Sequence, residues 1–137
     1  MKTLNYVELD HLYLIKTHFE VKDIKKALEG GSLDISCQVT IDNEKKDFIH
    51  ITCDFSINGF NSDESLFEYV SKHSAGFSIK TPDEFLAFED EEISSHFMRF
   101  IFPTIRDDAM ACLSRAGLRQ IILPYHFQET SVSKEPA

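Results

Sequence analysis

Histidine and cysteine are the residues of this chain best suited to bind a metal ion or to act as nucleophiles. They are His11, His18, His50, His73, His96, His126, Cys37, Cys53 and Cys112. No two histidines lie four residues apart, and none stands with a cysteine or carboxylate at a known ligand spacing. The sequence therefore predicts no metal site. The odd number and wide spacing of the cysteines also argue against a disulfide framework.

Carboxylates could serve in acid–base catalysis, and they occur together in residues 89–92 and in the pair Asp107 and Asp108. Adjacent residues of a helix do not face each other, so these groups read as solvated surface. The sequence contains no Gly-x-Ser-x-Gly motif and no glycine-rich phosphate loop. We expect no catalytic residue and no cofactor. A small-ligand binding domain or an enzyme of unknown type stays open as an alternative.

The charge balance limits the partners. The chain has 23 acidic and 14 basic residues in 137, a formal net charge of -9. This balance argues against nucleic acid and against an anionic membrane surface, because both attract clustered Lys and Arg. No stretch approaches the roughly 20 apolar residues of a membrane span, and the first residues include no apolar signal segment. We expect a cytoplasmic protein without membrane insertion.

Two stretches of alternating apolar and polar residues predict a β-hairpin. In residues 33–41 and 49–57 every odd position is apolar. This period of two is typical of half-buried strands, and the short polar segment between them favours an antiparallel turn. Pairing the end of the first strand with the start of the second would place Cys37 opposite Cys53. We expect both as buried core thiols.

The remaining segments give weaker signals. Residues 12–21 are rich in β-branched and aromatic side chains and predict a strand. Residues 63–72 could form a short helix, and residues 76–80 a short strand. Residues 81–84, Thr-Pro-Asp-Glu, predict a helix start, and that helix would end in the acidic residues 89–92.

The longest predicted helix covers about residues 97–116, and Gly117 is a natural stop for it. An apolar segment, residues 118–127, follows the helix. Together with 12 Phe, it could pack internally, form an oligomer interface or line a groove for other chains. The polar residues 129–137 predict a flexible tail, which leaves residues 1–128 as a single domain.

Three segments near the C-terminus resemble the signature of the SecB family of protein-export chaperones. Residues 101–107 contain a Phe-Pro followed by an Arg and a carboxylate. Residues 113–118 contain a helix end with Arg and Gly, and residues 121–127 form an apolar loop that ends in Pro-Tyr-His-Phe. Residues 13–20 resemble the first-strand motif of the family through Lys16, Phe19 and Glu20.

The chain also departs from the family pattern. Thr104 stands where the family usually has Tyr, His126 replaces an Asn, and the loop is about one residue shorter. The first strand lacks the Asp that follows its Lys, and residues 58–95 form a longer segment than in the family. After Phe127 the sequence predicts no second helix.

The resemblance implies an α+β subunit, with an antiparallel sheet of about four strands packed with one long C-terminal helix. It also implies a homotetramer, built as a dimer of dimers. Unfolded clients would bind in an apolar groove between the sheet and the loop after the helix. The implied groove residues are Leu118, Ile121, Leu123, Tyr125 and Phe127.

Two further surfaces follow from the resemblance. Glu20 would belong to the acidic sheet surface on which the family docks the SecA translocase motor. One helix face would pack inside the subunit or form the oligomer interface, and its residues are Ile105, Ala109, Cys112 and Ala116.

The implied function is that of an ATP-independent chaperone that keeps unfolded polypeptides unfolded, with protein export as one use. The alternative is a dedicated chaperone of one client, such as an antitoxin. The missing second helix and the incomplete acidic motif weaken the expected coupling to SecA, and so favour the alternative somewhat.

Overall fold

The computed structural model describes residues 7–45, 47–80, 89–124 and 131–134. Its elements, in chain order, are β1 (Val7–Val21), α1 (Ile24–Glu29), β2 (Ser32–Lys45), β3 (Phe48–Asn61), β4 (Glu64–Ile79), α2 (Asp90–Arg115) and β5 (Ser131–Lys134). Among these helices, none is both long enough and apolar enough to cross a membrane.

The strands form one sheet in the order β1-β4-β3-β2-β5. The four long strands pair antiparallel, and α2 packs on one face of the sheet. The predicted α+β class, with four antiparallel strands and one long helix, is confirmed. The sheet has one addition: Ser131–Lys134, predicted as part of the flexible tail, forms β5 and pairs parallel with β2.

The β2–β3 hairpin is confirmed, but its predicted register is wrong. Cys37 lies opposite Phe55, and Cys53 lies opposite Val39. The strands continue into the polar segment that was expected to be all turn, with Lys45 opposite Phe48 and an irregularity just before it. A shift of two residues keeps every side chain on its face. Both thiols are therefore buried, and no disulfide joins them.

The predicted short helix at residues 63–72 is wrong, because the chain is extended in strand β4 from Glu64 onward. Its core-facing row includes two polar residues, Ser71 and His73, which interrupt the apolar alternation that would have indicated a strand. All members of the row are buried. They are Phe67, Tyr69, Ser71, His73, Ala75, Phe77 and Ile79.

Strand β1 is confirmed and begins earlier than predicted, at Val7. Its register with β4 shifts between Leu9 and His11 and again between Leu14 and Lys16. A bulge places two residues opposite one and exchanges the faces of the residues beyond it. These shifts explain why the sequence of this strand alternates poorly.

Helix α2 begins at Asp90, before the predicted start at residue 97, so the acidic residues 89–92 open this helix rather than end an earlier one. Negative charge in the first turn suits the helix dipole. Pro103 lies inside the helix. The predicted helix start at residues 81–84 lies outside the described residues.

Helix α2 ends as the sequence predicts. Gly117 has a φ of 87°, and its N–H donates to the carbonyl of Ser114 at 3.0 Å. The N–H of Leu118 donates to the carbonyl of Leu113 at 2.9 Å. This pair of bonds is a Schellman motif, and the buried Leu113 and Leu118 supply its apolar contact.

Many of the phenylalanines pack between α2 and the sheet. The rings of Phe77 and Phe97 have centroids 4.2 Å apart, and Phe55 meets Phe102 edge-on at 6.0 Å. Such pairs add to the stability gained from area burial. These four phenylalanines therefore belong to the subunit core. Of the three alternatives for the apolar side chains, internal packing applies to them.

Candidate functional site

An open, mostly apolar groove of about 300 Å³ lies at one end of the sheet, between α1 and the loop that follows α2. Most of its lining comes from the turn before β2, the ends of β3 and β4, and the loop. The lining residues are Ala27, Gly30, Gly31, Ser32, Leu33, Gly59, Phe60, Leu66, Phe67, Gln120, Ile121 and Ile122.

Helix α1 forms one wall of the groove and is fixed to β4. The N–H groups of Lys22 and Asp23 donate to the carbonyl of Leu66 at 2.8 and 3.1 Å. The Asp23 side chain caps the helix by accepting from the N–H of Lys26. Lys26 also pairs with Glu64 at 2.7 Å, but both side chains are half exposed, so this ion pair adds little stability.

Two glycines allow the groove floor to pack closely. A Cβ on Gly59 would lie 2.1 Å from the Phe67 ring, so that ring occupies the space of the missing side chain. A Cβ on Gly31 would lie 2.6 Å from the carbonyl oxygen of Phe60. Any larger residue at these two positions must displace the floor of the groove.

The loop after α2 forms the opposite wall. Leu118 and Leu123 are buried at its two ends. The Arg106 Nε donates to the Leu123 carbonyl at 3.0 Å, and the Gln120 amide donates to the carbonyl of Ala27 at 3.3 Å. These contacts hold the middle of the loop against the groove.

The predicted client-binding residues therefore take different positions. Leu118 and Leu123 lie in the core and anchor the loop, whereas Ile121 lines the groove half-buried. Tyr125 and Phe127 lie outside the described residues. A direct role of these five residues in client binding stays a prediction.

Sequence reasoning missed the most exposed apolar side chain at the groove. Ile122 is 73% exposed and Leu33 is 42% exposed, and both line the groove. Ile24 and Leu28 add exposed apolar surface on α1. Ile122 belongs to the predicted apolar segment, residues 118–127. The sequence does not distinguish it from its apolar neighbours, because the difference lies in their burial in the folded chain.

The groove adjoins a part of the β2 edge that no described strand pairs. Strand β2 pairs with β3 along one side over nearly its whole length. On its other side, β5 pairs with residues 38–41. Residues 32–36 have no strand on that side within the described part of the chain, and Ser32 and Leu33 of this stretch line the groove.

Glu20 is exposed on the sheet face opposite α2. Glu20 lies directly opposite Glu68 on β4. Glu68 in turn lies opposite Asn58 on β3, and Asn58 lies opposite Asp34 on β2. Directly opposite residues of a sheet project to the same side. The three carboxylates therefore form an acidic row across the sheet.

The predicted oligomer face of α2 points largely inward. Ile105 and Ala109 are fully buried within the subunit, and Cys112 and Ala116 are partly buried. This matches the first of the two roles that the resemblance implied for them. Their role between subunits stays a prediction.

A buried polar group joins β4 to α2. His73 is 1% exposed, and its Nε2 lies 2.8 Å from a carboxylate oxygen of Asp108. Its Nδ1 has no hydrogen-bond partner among the described residues. Burial raises the pKa of the nearby Tyr69 hydroxyl. Because the imidazole is enclosed in the core, we interpret the His73–Asp108 contact as a structural link between β4 and α2.

His96 is a second buried imidazole, on the core face of α2. Burial lowers its pKa, and the charge of Arg99 lowers that pKa further. Within the described residues, no three His, Cys, Asp or Glu side chains come together in a group that could hold a metal ion.

Comparisons with known proteins identify the fold. Neither a protein-family model nor a curated protein sequence matches this chain. A solved structure from Streptococcus agalactiae, of unknown function, is similar with a TM-score of 0.43 and 13% identity, over 80% of this chain and 89% of that one. That score is too low to carry an argument.

A second solved structure is much more similar. It is the SecB-like chaperone Rv1957 of Mycobacterium tuberculosis, in complex with a ChAD peptide from the antitoxin Rv1956 HigA1. The TM-score is 0.70 over 90% of this chain and 93% of that one, at 14% identity. The resemblance stated from the sequence is confirmed at the level of the fold: this chain has the SecB-like fold.

Proposed function

We propose that this protein is a chaperone that binds non-native polypeptide segments in the groove between α1 and the loop after α2. One observation carries the proposal: an open apolar groove lies beside residues 32–36 of the β2 edge, which no described strand pairs on that side, in a SecB-like fold. It would act in the cytoplasm, without a cofactor, and as a binding protein rather than an enzyme.

The groove can supply affinity through apolar burial. Ile122 and Leu33 expose apolar surface that a client side chain would cover. Full burial of a side chain of this size yields about 1.5–3 kcal/mol. Several such contacts together can outweigh the entropy lost when a disordered segment becomes ordered.

The edge of β2 can supply main-chain hydrogen bonds. A peptide that pairs with residues 32–36 would satisfy backbone N–H and C=O groups that no described strand satisfies. Addition of a strand to a sheet edge is a common way to bind extended peptides. Strands of folded proteins mostly have their partners already, and exposed edge strands are protected against further pairing, so the site would favour unfolded segments.

A dedicated client is the version of this function that we favour. Rv1957, which shares the fold, was solved with a peptide from an antitoxin. By analogy, this chain would protect one client, such as an antitoxin. Cross-linking in the host cell distinguishes the versions: one dominant client is expected, whereas many unrelated clients would indicate a general holdase.

Export is the second candidate, and Glu20 is the residue to test for it. Like charges directly opposite each other in a sheet are unfavourable, and a basic segment docked on Glu20 and Glu68 would relieve this repulsion. Titration with purified SecA motor tests it. Binding that Glu20→Arg abolishes would favour export, and no binding would leave the dedicated client.

Assembly as a homotetramer belongs to the same proposal. Strand β1 pairs on one side only among the described strands, and it exposes Leu9, Tyr13, Leu14 and Ile15. Two copies related by a twofold axis can pair such edges antiparallel and cover their apolar side chains. Mass measurement in solution tests this, and a strict monomer would contradict it.

Site-specific photo-cross-linking tests the groove itself. A benzophenone amino acid at position 122 should cross-link to a chemically unfolded client, because Ile122 lies at the mouth of the proposed site. The same group in place of Ser114, which is exposed on α2, serves as the control. Equal cross-linking from both positions would remove the groove from the proposal.

A further inference from the structure

We propose that the side-chain amide of Gln120 binds the main chain of a client in the groove. In the free protein this amide bonds to α1, and it exchanges that bond for two bonds to one client residue. The proposal rests on the proposed function, because it concerns the same groove. It adds a residue that recognises the polypeptide backbone rather than particular side chains.

The groove lining contains only two polar side chains, Gln120 and Ser32. In a mostly apolar pocket, a few polar groups orient the ligand. The primary amide of a glutamine carries N–H donors beside a carbonyl acceptor. Each residue of an extended chain directs its own N–H and C=O to the same edge. One glutamine can therefore bind such a residue with two hydrogen bonds, whatever side chain that residue carries.

The amide of Gln120 is only partly used in the free protein. Its Nε2 donates to the Ala27 carbonyl at 3.3 Å, which identifies the nitrogen because a carbonyl oxygen can only accept. Gln120 is exposed, and the structure gives it no other hydrogen bond to any residue that it describes. One N–H and the Oε1 acceptor are therefore available to a client.

The bond to α1 is easily exchanged. The Ala27 carbonyl also accepts from the N–H of Gly30, again at 3.3 Å. Both distances are longer than the usual value of about 2.9–3.0 Å. When Gln120 turns to a client, this carbonyl keeps the Gly30 donor, so no acceptor loses its last partner. The exchange replaces one long bond by two and should favour the bound state.

Gln120→Met tests the proposal in the full chain. Methionine is unbranched like glutamine but ends in an apolar group without an amide. Gln38→Met is the matched control, because Gln38 is exposed and its buried neighbours Cys37 and Val39 place it on the sheet face opposite the core. The probes are two fluorescein-labelled ten-residue peptides, one with alternating Leu and Ser and one with alternating Val and Thr, followed by fluorescence anisotropy.

The expected effect has a sign that apolar contact cannot produce. Gln120→Met should bind both peptides roughly threefold to tenfold more weakly than wild type, and Gln38→Met should bind them like wild type. Apolar contact alone predicts equal or tighter binding, because methionine adds apolar surface to the groove. The two peptides share only their main chain, so recognition of the backbone predicts similar losses for both.

Ester analogues of the Leu-Ser peptide show whether the amide meets the client directly. The N–H groups of alternate residues in an extended chain point to opposite edges. One analogue therefore carries an ester oxygen in place of every leucine N–H, and the other in place of every serine N–H. A shift of the peptide by two residues leaves either pattern unchanged. For one of the analogues, the difference between wild type and Gln120→Met should shrink to less than about twofold.

Three outcomes would overturn the inference and leave the proposed function intact. The first is equal or tighter binding of the two amide peptides to Gln120→Met. The second is a loss confined to one of these peptides, which would indicate a side-chain contact. The third is that no ester analogue reduces the difference, which would mean that Gln120 acts only by holding the loop. No binding of either amide peptide to the wild-type protein would refute the proposed function as well.

Discussion

Replacement of Ile122 by serine should weaken client binding without weakening the fold. The side chain is 73% exposed in the free protein. Full burial of an isoleucine gives about 1.5–3 kcal/mol, so covering the exposed part should give about 1–2 kcal/mol. Ile122→Ser should therefore bind an unfolded client segment roughly 5- to 30-fold more weakly. Its free energy of unfolding should stay within about 0.5 kcal/mol of wild type.

The assay compares two measurements on three variants. Fluorescence anisotropy with a labelled client peptide gives affinity, and urea titration gives the free energy of unfolding. Arg119→Ser, an exposed position of the same loop, should change neither quantity. Leu118→Ala should lower stability by about 2–5 kcal/mol, because this side chain is fully buried. Unchanged affinity in Ile122→Ser would show that clients do not contact this wall of the groove.

Three further perturbations address the fold. Asp108→Ala should lower the free energy of unfolding by about 1–3 kcal/mol in urea titrations, because it leaves the buried His73 imidazole without its partner. Asp107 is exposed, so Asp107→Ala should have little effect. Gly117→Ala should cost about 1 kcal/mol, since φ is positive there and nothing crowds a new Cβ. Because the pKa of His96 is lowered in the folded protein, the unfolded chain takes up a proton at this residue at a higher pH than the folded protein does. Part of the free energy of unfolding that is present above about pH 6.5 should therefore be lost as the pH falls below that value. Urea titrations at several pH values should show a smaller loss for His96→Leu, and equal losses would contradict this assignment.

The sequence predicts the parts of the fold whose periodicity is regular. The alternation in β2 and β3 and the Gly117 stop of α2 both appear in the structure. The register of the β2–β3 hairpin was predicted wrongly because both strands continue into the polar segment, as far as Lys45 opposite Phe48. The expected pairing of Ile41 with Ile49 would leave too few residues for a turn between strands of that length. The end of strand β4 was predicted as a short strand at residues 76–80, but its first part was missed because two polar side chains, Ser71 and His73, occupy its buried face.

The groove was only partly predictable. The apolar loop after α2 was identified as the place to look, but burial separates its anchors, Leu118 and Leu123, from the exposed Ile122. The floor depends on contacts between Gly59 and Phe67, which are eight residues apart in the sequence and adjacent across two strands. The alternation of apolar and polar residues does not reveal this approach of a ring to a glycine on the neighbouring strand.

Refolding kinetics test the central claim, that this protein holds non-native polypeptides. A chemically unfolded, slowly refolding protein is diluted into buffer with a several-fold excess of the chaperone, and recovery of its native signal is followed. We predict a marked delay with the wild-type protein and a much smaller delay with Ile122→Ser at the same concentration. An unaltered refolding rate at several-fold excess of the wild-type protein, across several such clients, would contradict the account.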